Sequence, residues 1–288
     1  MKKFLLGVCL FLSATLALAQ MPEKTWQEAK LAIQQGNFTQ AVQLLRPWAE
    51  RGDARGQYGL GLMHYHGRGV AQDDTKAREW LEKAAAQGYA QAQFNLGVMY
   101  ASGRGVAQDY AKAREWWEKA AAQGDVGAQN NLGVMYRDGQ GVAQDDAKAQ
   151  DWFEKAAAQG HVEAQNNLGV MYGNGQGVAQ DYTKALEWWE KAAAQGHSGA
   201  QYNLGVMYAR GRGVVQDYAK AREWWEKAAA QGDVGAQYNL GVMYRDGLDG
   251  TQDDAKAREW FEQAAAQTEN AENADAVRQA RRALERIR

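Results

Sequence analysis

Cysteine is nearly absent from this sequence: the only one is Cys9. It lies in an amino-terminal segment where Lys2 and Lys3 precede an apolar run and Ala17-Leu18-Ala19 follows it, which are the three parts of a secretory signal. We expect residues 1–19 to be removed by cleavage after Ala19. The mature chain then has no cysteine, which excludes disulfides, thiolate metal sites and a cysteine nucleophile.

The apolar run of this signal, from Phe4 to Leu12, is shorter than the ~20 residues that a membrane-spanning helix needs. We therefore expect no stable membrane insertion once the signal is cleaved. A segment of this kind predicts a periplasmic protein, or one that is secreted or reaches the cell surface.

Positive charge is also in short supply. The chain has 33 Lys and Arg residues against 35 Asp and Glu. Loss of Lys2 and Lys3 leaves 31 basic residues against 35 acidic ones, a formal charge of −4 with neutral histidine. General nucleic-acid binding depends on a basic surface, so we expect no nucleic-acid partner.

Residues suited to catalysis are few. After the signal the only serines are Ser102 and Ser198, and neither lies in an SxxK or GxSxG motif. The histidines lack HExxH or other metal-ligand spacing, and we expect them on ordinary helix surface: His64, His66, His161 and His197. The sequence predicts no catalytic residue, no metal site and no cofactor.

The dominant feature is an internal repeat of 36 residues. Before it, residues 20–52 predict a shorter helix pair that turns at Gly36-Asn37, and after it residues 269–288 predict one closing helix. No linker divides the array, which favours a single domain. The six units are 53–88, 89–124, 125–160, 161–196, 197–232 and 233–268.

Each unit predicts two amphipathic helices. In the third unit, apolar residues recur at helical spacing from Ala128 to Tyr136 and again from Ala149 to Ala157. The paired glycines between them, in "DGQGVAQD", lack the third glycine and the preceding strand of a dinucleotide loop. The GxGV pattern also recurs in every unit but the last, so we interpret it as a turn: Gly139 and Gly141 suit left-handed backbone, and Asp145 suits a helix amino-terminal cap.

Two aromatic positions repeat in the second helix of each unit. We interpret both as core, because they share a helix face with alanines such as Ala149 and Ala156. The alternative is a stacking platform for sugars or bases. The first position holds Trp80, Trp116, Trp152, Trp188, Trp224 and Trp260, and the second holds Leu81, Trp117, Phe153, Trp189, Trp225 and Phe261.

The segment "AQNNLGVMYRDGQGVAQDDAKAQDWFEKAAAQG" closely resembles the Sel-one-like repeat, a relative of the tetratricopeptide repeat. The alanine, LG, MY, GxGV, KA and KAAAQG elements keep their spacing through most copies between residues 53 and 268. The resemblance implies an all-α fold, an α/α solenoid that forms a right-handed superhelix of antiparallel helix pairs. It also implies that the first helices line a concave groove and bind protein or peptide, as in adaptor and assembly proteins; exported bacterial members act in host contact and in the envelope.

The positions of the first helices that lie opposite the predicted core are the expected binding surface. We call them the partner row. Valines in an exposed file, flanked by aromatics, are unusual for a surface without a partner. The partner row comprises Phe94, Val98, Asn130, Val134, Arg137, Asn166, Val170, Tyr202, Val206, Tyr238, Val242 and Arg245.

Beside the partner row runs an asparagine file at a position where some related superhelices hold a peptide backbone. An amide side chain can donate to a carbonyl and accept from an N–H group, so the file could grip extended chains. The alternative is that each amide bonds a neighbouring loop. The file comprises Asn95, Asn131, Asn167, Asn203 and Asn239.

Three functional hypotheses follow. The first is an exported, non-enzymatic scaffold that binds an extended peptide or a protein surface. The second is a β-lactamase-type or cell-wall amide hydrolase, and the third is a glycan or peptidoglycan binder that uses aromatics such as Tyr202 and Tyr238. The closing helix, with Val277, Ala280, Leu284 and Ile287 on one stripe, predicts a cap for the array rather than a lipid-binding helix.

Overall fold

The computed structural model describes residues 20–250, 252–271 and 273–286. The expected signal, residues 1–19, and Ile287 lie outside the described residues. The described residues form fifteen α-helices and no strand, which confirms the all-α prediction. None of these helices is both long and apolar enough to cross a membrane.

The chain divides into two compact units, the first ending at Ala120 and the second beginning at Ala121. The helices up to this boundary are α1 (Glu23–Gln34), α2 (Phe38–Glu50), α3 (Ala54–His66), α4 (Asp74–Ala86), α5 (Ala90–Ser102) and α6 (Tyr110–Ala122). Those that follow are α7 (Val126–Asp138), α8 (Asp146–Ala158), α9 (Val162–Asn174), α10 (Tyr182–Ala194), α11 (Ser198–Arg210), α12 (Tyr218–Ala229), α13 (Val234–Asp246), α14 (Asp254–Ala265) and α15 (Ala274–Arg286).

Each 36-residue unit contains one odd-numbered and one even-numbered helix, called here the A helix and the B helix. Inside each compact unit, a B helix packs on the A helix of its own repeat and on the A helix that follows. Leucine, methionine and alanine side chains of both helices are buried in every full repeat, together with one large side chain of the B helix.

The loop between A and B is the turn that the glycine spacing predicts. Gly139 ends α7 in left-handed backbone, with φ +67°, and the Asp145 carboxylate accepts the N–H of Lys148 at 3.0 Å at the start of α8. The second loop glycine permits a close approach: a Cβ on Gly177 would lie 2.5 Å from Cβ of Asp146 in the preceding repeat. The loop thus packs against protein.

The two aromatic positions of the B helix differ in burial, which corrects part of the prediction. Phe153 is 0% exposed and faces the A helix, whereas Trp152 is half-buried and carries the Lys155 ammonium 4.1 Å from its ring centroid. Neighbouring helical residues point about 100° apart, so only one of the two can face the A helix. The second position is therefore the core position, and the tryptophans of the first lie at its edge.

A series of buried glutamines links the helices, and the sequence reasoning missed it. Gln165, 5% exposed in α9, donates to the carbonyl of Ala157 at 3.3 Å and accepts from Gln195 Nε2 at 2.9 Å. These bonds join α9 to the preceding B helix, α8, and to the end of the B helix of its own repeat, α10. Recurrence of Gln every 36 residues was the available signal, and Gln57, Gln93, Gln129, Gln201 and Gln237 are equally buried.

The last helix, α15, packs at the end of the second compact unit. Val277, Ala280 and Ala283 of α15 are buried in one cluster with Phe261 of α14. Leu284 packs partly against this cluster, while the arginines at 278, 281, 282 and 286 are exposed. The apolar face of α15 therefore packs against the final repeat and covers it.

Candidate partner-binding site

In the second compact unit, the partner row lies on the A helices α7, α9, α11 and α13. Its members there are half-buried, so the valines are less exposed than we expected. Val134 and Val170 pack against one core cluster, and Val206 and Val242 pack against the next two. Each valine therefore contributes to packing as well as to the surface.

A cavity of about 690 Å³ brings together three predicted residues: Tyr202, Tyr238 and Asn239. It lies where α11 and α13 meet Asn270, Asn273 and the start of α15. Asp233 and Arg210 also line it, so two aromatic rings and an amide share this space with charges of both signs. Such a lining can contact apolar groups and exchange hydrogen bonds with an extended backbone.

Burial shapes the titration of two groups in this cavity. Burial raises the pKa of the Tyr202 hydroxyl, although its hydrogen bond with the Asn239 side chain acts in the opposite direction. Burial also raises the pKa of Asp233, against the effect of the Ala236 N–H that donates to this carboxylate at 2.8 Å. Both groups are therefore more easily kept neutral than in water.

A second cavity, of about 210 Å³, collects Val170, Asn203 and Val206 between α9 and α11. Gly173 and the Trp189 ring form its wall. Other repeats carry Ala101, Arg137, Ala209 or Arg245 where this one has Gly173. The missing side chain makes room for the Trp189 ring, because a Cβ on Gly173 would lie 2.9 Å from its Cη2 atom.

The asparagine file is largely engaged within the protein, though seldom with loops. Asn95 Nδ2 donates to the carbonyl of Gln91 in its own helix at 2.7 Å. Asn167 accepts from Arg137 Nη1 at 3.0 Å, and Asn239 bonds Tyr202, so both link successive A helices. Asn203 faces the smaller cavity, and Asn131 is half-buried. The amides of 95, 167 and 239 therefore have structural roles already.

The two arginines of the partner row are also held by neighbours. Arg137 forms an ion pair with Asp138 at 2.6 Å, and Arg245 forms one with Asp246 at 2.7 Å. The Oδ1 atoms of Asn130 and Asn166, also in the partner row, are buried and accept no hydrogen bond from any described residue. Both side chains belong to the partner row, where we expected them to contact a bound partner.

The first compact unit contains the remaining members, Phe94 and Val98, both half-buried on α5. The Phe94 carbonyl accepts from Trp117 Nε1 at 3.2 Å, and the Val98 carbonyl accepts from the Ser102 hydroxyl at 2.8 Å. Ser102 is thus occupied within its own helix.

The histidines lie in structural positions that the sequence reasoning missed. His161 and His197 cap α9 and α11, accepting the N–H groups of Ala164 and Ala200 at 3.3 and 3.1 Å. His64 was expected at the helix surface but is only 9% exposed. No cluster of three or more metal-ligating side chains occurs among the residues that the structure describes.

These features define an α/α solenoid whose A helices carry cavities and whose B helices carry the core aromatics. A family profile for the Sel1 repeat matches residues 31–53, 54–89, 90–125, 126–161, 162–197, 198–233 and 234–268. The chain belongs to the Sel1 repeat family. The profile also matches residues 31–53, which include α2, as a seventh repeat. From the sequence we expected this region to be only a shorter helix pair.

Two solved structures support this assignment. A Sel1 repeat protein from Oxalobacter formigenes is 33% identical, with 83% of this chain and 98% of that chain covered and a TM-score of 0.76. The protein c5321, a protective antigen of uropathogenic Escherichia coli with an SLR fold, is 34% identical, with 92% and 66% covered and a TM-score of 0.77. No curated protein is significantly similar in sequence.

Proposed function

We propose that this protein is an exported, non-catalytic scaffold that binds a segment of a protein partner on the A helices of its second compact unit. The Sel1 fold is typical of protein-interaction scaffolds. The observation that carries the choice of surface is that two cavities, of about 690 and 210 Å³, are lined by residues of the partner row and the asparagine file.

The chemistry of the two cavities suits an extended segment. The larger one offers tyrosine rings and hydrogen-bonding side chains, and the smaller one offers valines, a tryptophan ring and the amide of Asn203. Extended backbone has unsatisfied N–H and C=O groups along its length, which amides can meet in either direction. Its side chains would anchor in the apolar parts.

Export is supported by the signal-like pattern of residues 1–19 and by the packing that begins directly after it. Met21 is 2% exposed, and its N–H donates to the Asp53 carboxylate at 2.7 Å. The relative c5321 is a protective antigen, which is compatible with an exported protein of this fold. The periplasm, the cell surface and the medium are the compartments open to it, with envelope assembly or host contact as the setting.

The test is site-specific crosslinking in living cells. A photoreactive residue is placed at Val170 or at Asn203, which line the same cavity, and the crosslinked peptides are identified by mass spectrometry. Matched controls carry the residue at Glu187 or Glu223, which are exposed on the B helices α10 and α12.

We expect Val170 and Asn203 to capture the same segment of one protein and the controls to capture none of it. Equal capture from Glu187 or Glu223, or no capture from either cavity position, would show that the surface is wrong. Cell fractionation of the same strains measures export independently.

The hydrolase hypothesis makes a different prediction. Purified protein that begins at residue 20 would turn over a chromogenic β-lactam, and a substitution such as Tyr202→Phe would abolish the turnover. We expect no turnover, because the Ser102 hydroxyl is bonded within α5 and its nearest acceptors are backbone carbonyls.

The glycan hypothesis draws on the same large cavity, where Tyr202 and Tyr238 lie beside amide side chains. Binding of purified sacculi by the protein, lost on substitution of Tyr238 by alanine, would favour this function over a protein partner. The crosslinking experiment separates the two, because a glycan yields no crosslinked peptide.

A further inference from the structure

The start of the B helix holds a lysine ammonium between a carboxylate and a tyrosine ring in four of the full repeats. At the start of α8, Asp145 Oδ1 accepts the N–H of Lys148 at 3.0 Å, and the Lys148 ammonium lies 3.1 Å from Oδ2 of the same carboxylate. This ammonium is 5.3 Å from the centroid of the Tyr136 ring. The carboxylate and the ring thus hold one cation between them. The equivalent lysines are Lys112, Lys220 and Lys256.

The A helix α13 begins on the same kind of cap but lacks the lysine. Asp233 Oδ1 accepts the N–H of Ala236 at 2.8 Å, and this alanine stands at the position that is lysine in α8. The Tyr202 ring lies beside the carboxylate, because a Cβ built on Gly235 would be 2.9 Å from Cε2 of Tyr202 and 3.4 Å from Oδ1 of Asp233. The carboxylate and the ring are therefore both present, without the cation.

The half-buried Asp233 has no counter-ion within the protein. It forms no ion pair with any residue that the structure describes, and its donors are the backbone N–H groups of Gly235 and Ala236. Burial raises the pKa of Asp233, whereas the N–H and the side chain of Lys148 lower the pKa of Asp145. A missing cation would produce this difference between the two caps. A partly desolvated carboxylate of this kind gains when a ligand cation pairs with it.

The cavity of about 690 Å³ gives a ligand access to this cap, since Asp233 and Tyr202 both line it. Its lining also includes a second ring, that of Tyr238, and the amide of Gln279. Gln279 donates through Nε2 to Asp275 at 3.0 Å, which leaves Oε1 as an acceptor for an ammonium. A long cationic side chain would meet aromatic surface along its stem and oxygen atoms at its head.

The charges that line the cavity favour a cation at its buried end. The carboxylates of Asp233 and Asp275 face the guanidinium of Arg210 across this lining. Arg210 is exposed and forms no ion pair with Asp233. Asp275 is 79% exposed and already lies 3.4 Å from Arg278. Asp233 is therefore the charge that an inserted side chain would meet.

We propose that this cavity binds a lysine side chain of the partner segment, with the ammonium between the Asp233 carboxylate and the Tyr202 ring. The assignment rests on the proposed function, because it names an anchor residue of the same partner. The stem of a lysine is apolar, so its methylenes can pack against the Tyr238 ring while the head group pairs with Asp233. The partner thereby supplies the group that Lys148 supplies within the chain at Asp145.

Binding is measured by fluorine NMR on the protein that begins at residue 20, labelled with fluorotyrosine. The Tyr202 signal is assigned by its loss in Tyr202→Phe. The probe is N-acetyl-lysine methylamide; the norleucine analogue has the same stem without the ammonium, and the glutamate analogue has the opposite charge. We expect the lysine compound to shift the Tyr202 signal, and both analogues to bind roughly tenfold more weakly or not at all.

Asp233→Asn is the main variant, because asparagine keeps the cap and removes the charge. Asp125→Asn is the matched control: Asp125 caps α7 at the same position of an earlier repeat, accepts the N–H of Ala128 at 2.8 Å, and does not line this cavity. We expect Asp233→Asn to weaken the lysine compound roughly tenfold, to the level of the norleucine compound, and Asp125→Asn to leave its affinity unchanged. Thermal unfolding of both variants checks that they are folded.

Four outcomes would overturn the proposal. They are absence of any response to the lysine compound, equal binding of the lysine and norleucine compounds, tighter binding of the glutamate compound, and unchanged affinity in a folded Asp233→Asn protein. The proposed function fails differently, because crosslinking from Val170 and Asn203 requires no lysine. If those positions capture one segment and the lysine compound does not bind, the scaffold stands and this anchor is wrong.

Discussion

The ring of Phe153 occupies the space that a side chain on Gly133 would fill. A Cβ built on Gly133 of α7 would lie 2.6 Å from both Cδ1 and Cε1 of Phe153 in α8, nearer than real Cβ contacts come. The same relation joins Gly97 to Trp117 and Gly205 to Trp225, at 2.3 and 2.4 Å. The glycine of the repeated LG element is therefore fixed by the B-helix aromatic.

Gly133→Ala should destabilise the second compact unit, because neither the Phe153 ring nor the helix backbone can move away freely. We expect a loss of about 1–3 kcal/mol from overpacking, which exceeds the ~0.5–1 kcal/mol that alanine gains in a helix. Urea unfolding measures it. Adding Phe153→Leu should recover part of the alanine penalty, because Leu81 is the natural partner of Gly61 in the first full repeat, with a Cβ distance of 3.0 Å. Strictly additive losses would contradict the contact.

Phe153 and Trp152 should differ in their effect on stability although they are neighbours. Phe153→Ala removes a fully buried ring and should cost about 3–5 kcal/mol. Trp152→Ala removes a half-buried ring and its contact with Lys155, and should cost about 1–2 kcal/mol. Hydrogen exchange of the α7 and α8 amides measures the local loss. A larger effect at Trp152 would reverse the assignment of core and edge.

Most of the fold follows from the sequence, because a 36-residue period with caps and glycine turns leaves few alternatives. The choice between Trp152 and Phe153 did not follow, since both fit a helical stripe and only the direction of the A helix separates them. The Gln165 bonds were missed for a related reason. A polar residue within an apolar stripe is informative only when its partner is known, and Gln195 lies 30 residues away.

The helices that carry the candidate residues could be predicted from the sequence, but the shape of the cavities could not. Helical periodicity predicts that Tyr202, Tyr238 and Val170 lie on the side of the A helices opposite the core. In the structure these residues line cavities. The cavities themselves are lined in part by exceptions to the repeat, such as Gly173 and the start of α15. A repeat pattern averages over such exceptions, so it predicts the common surface and misses the individual pocket.

The buried glutamines allow a comparison between two equivalent positions. Gln165→Met removes two hydrogen bonds, to Ala157 and from Gln195, and should cost about 1–3 kcal/mol. Gln237→Met removes one bond, to Ala229, together with a buried Oε1 that has no partner among the described residues, and should cost less by about 1 kcal/mol. Urea unfolding of both variants tests the difference. Equal losses would mean that the Gln195 bond contributes nothing.

Asp233 and Asp145 are both amino-terminal caps, but their charges should act on stability in opposite directions. Burial raises the pKa of Asp233. The Lys148 N–H, followed by the Lys148 side chain, lowers the pKa of Asp145. A carboxyl with a raised folded pKa costs stability once it ionises, so this penalty is absent below the unfolded pKa of ~3.9 and complete above the folded value. A carboxyl with a lowered pKa contributes stability above the unfolded value, and this is lost as the pH falls through the folded one.

Asparagine caps a helix about as well as aspartate but does not titrate, so it isolates these charges. Asp233→Asn should raise the thermal midpoint at neutral pH, and the gain should disappear as the pH approaches the unfolded pKa. Asp145→Asn should lower the midpoint at neutral pH, with the loss shrinking in acid. Thermal unfolding between about pH 3 and 8 follows both variants against the parent chain. Since the caps are otherwise alike, a pH dependence of the same sign in the two variants would show that the burial of Asp233 in the large cavity does not control its charge.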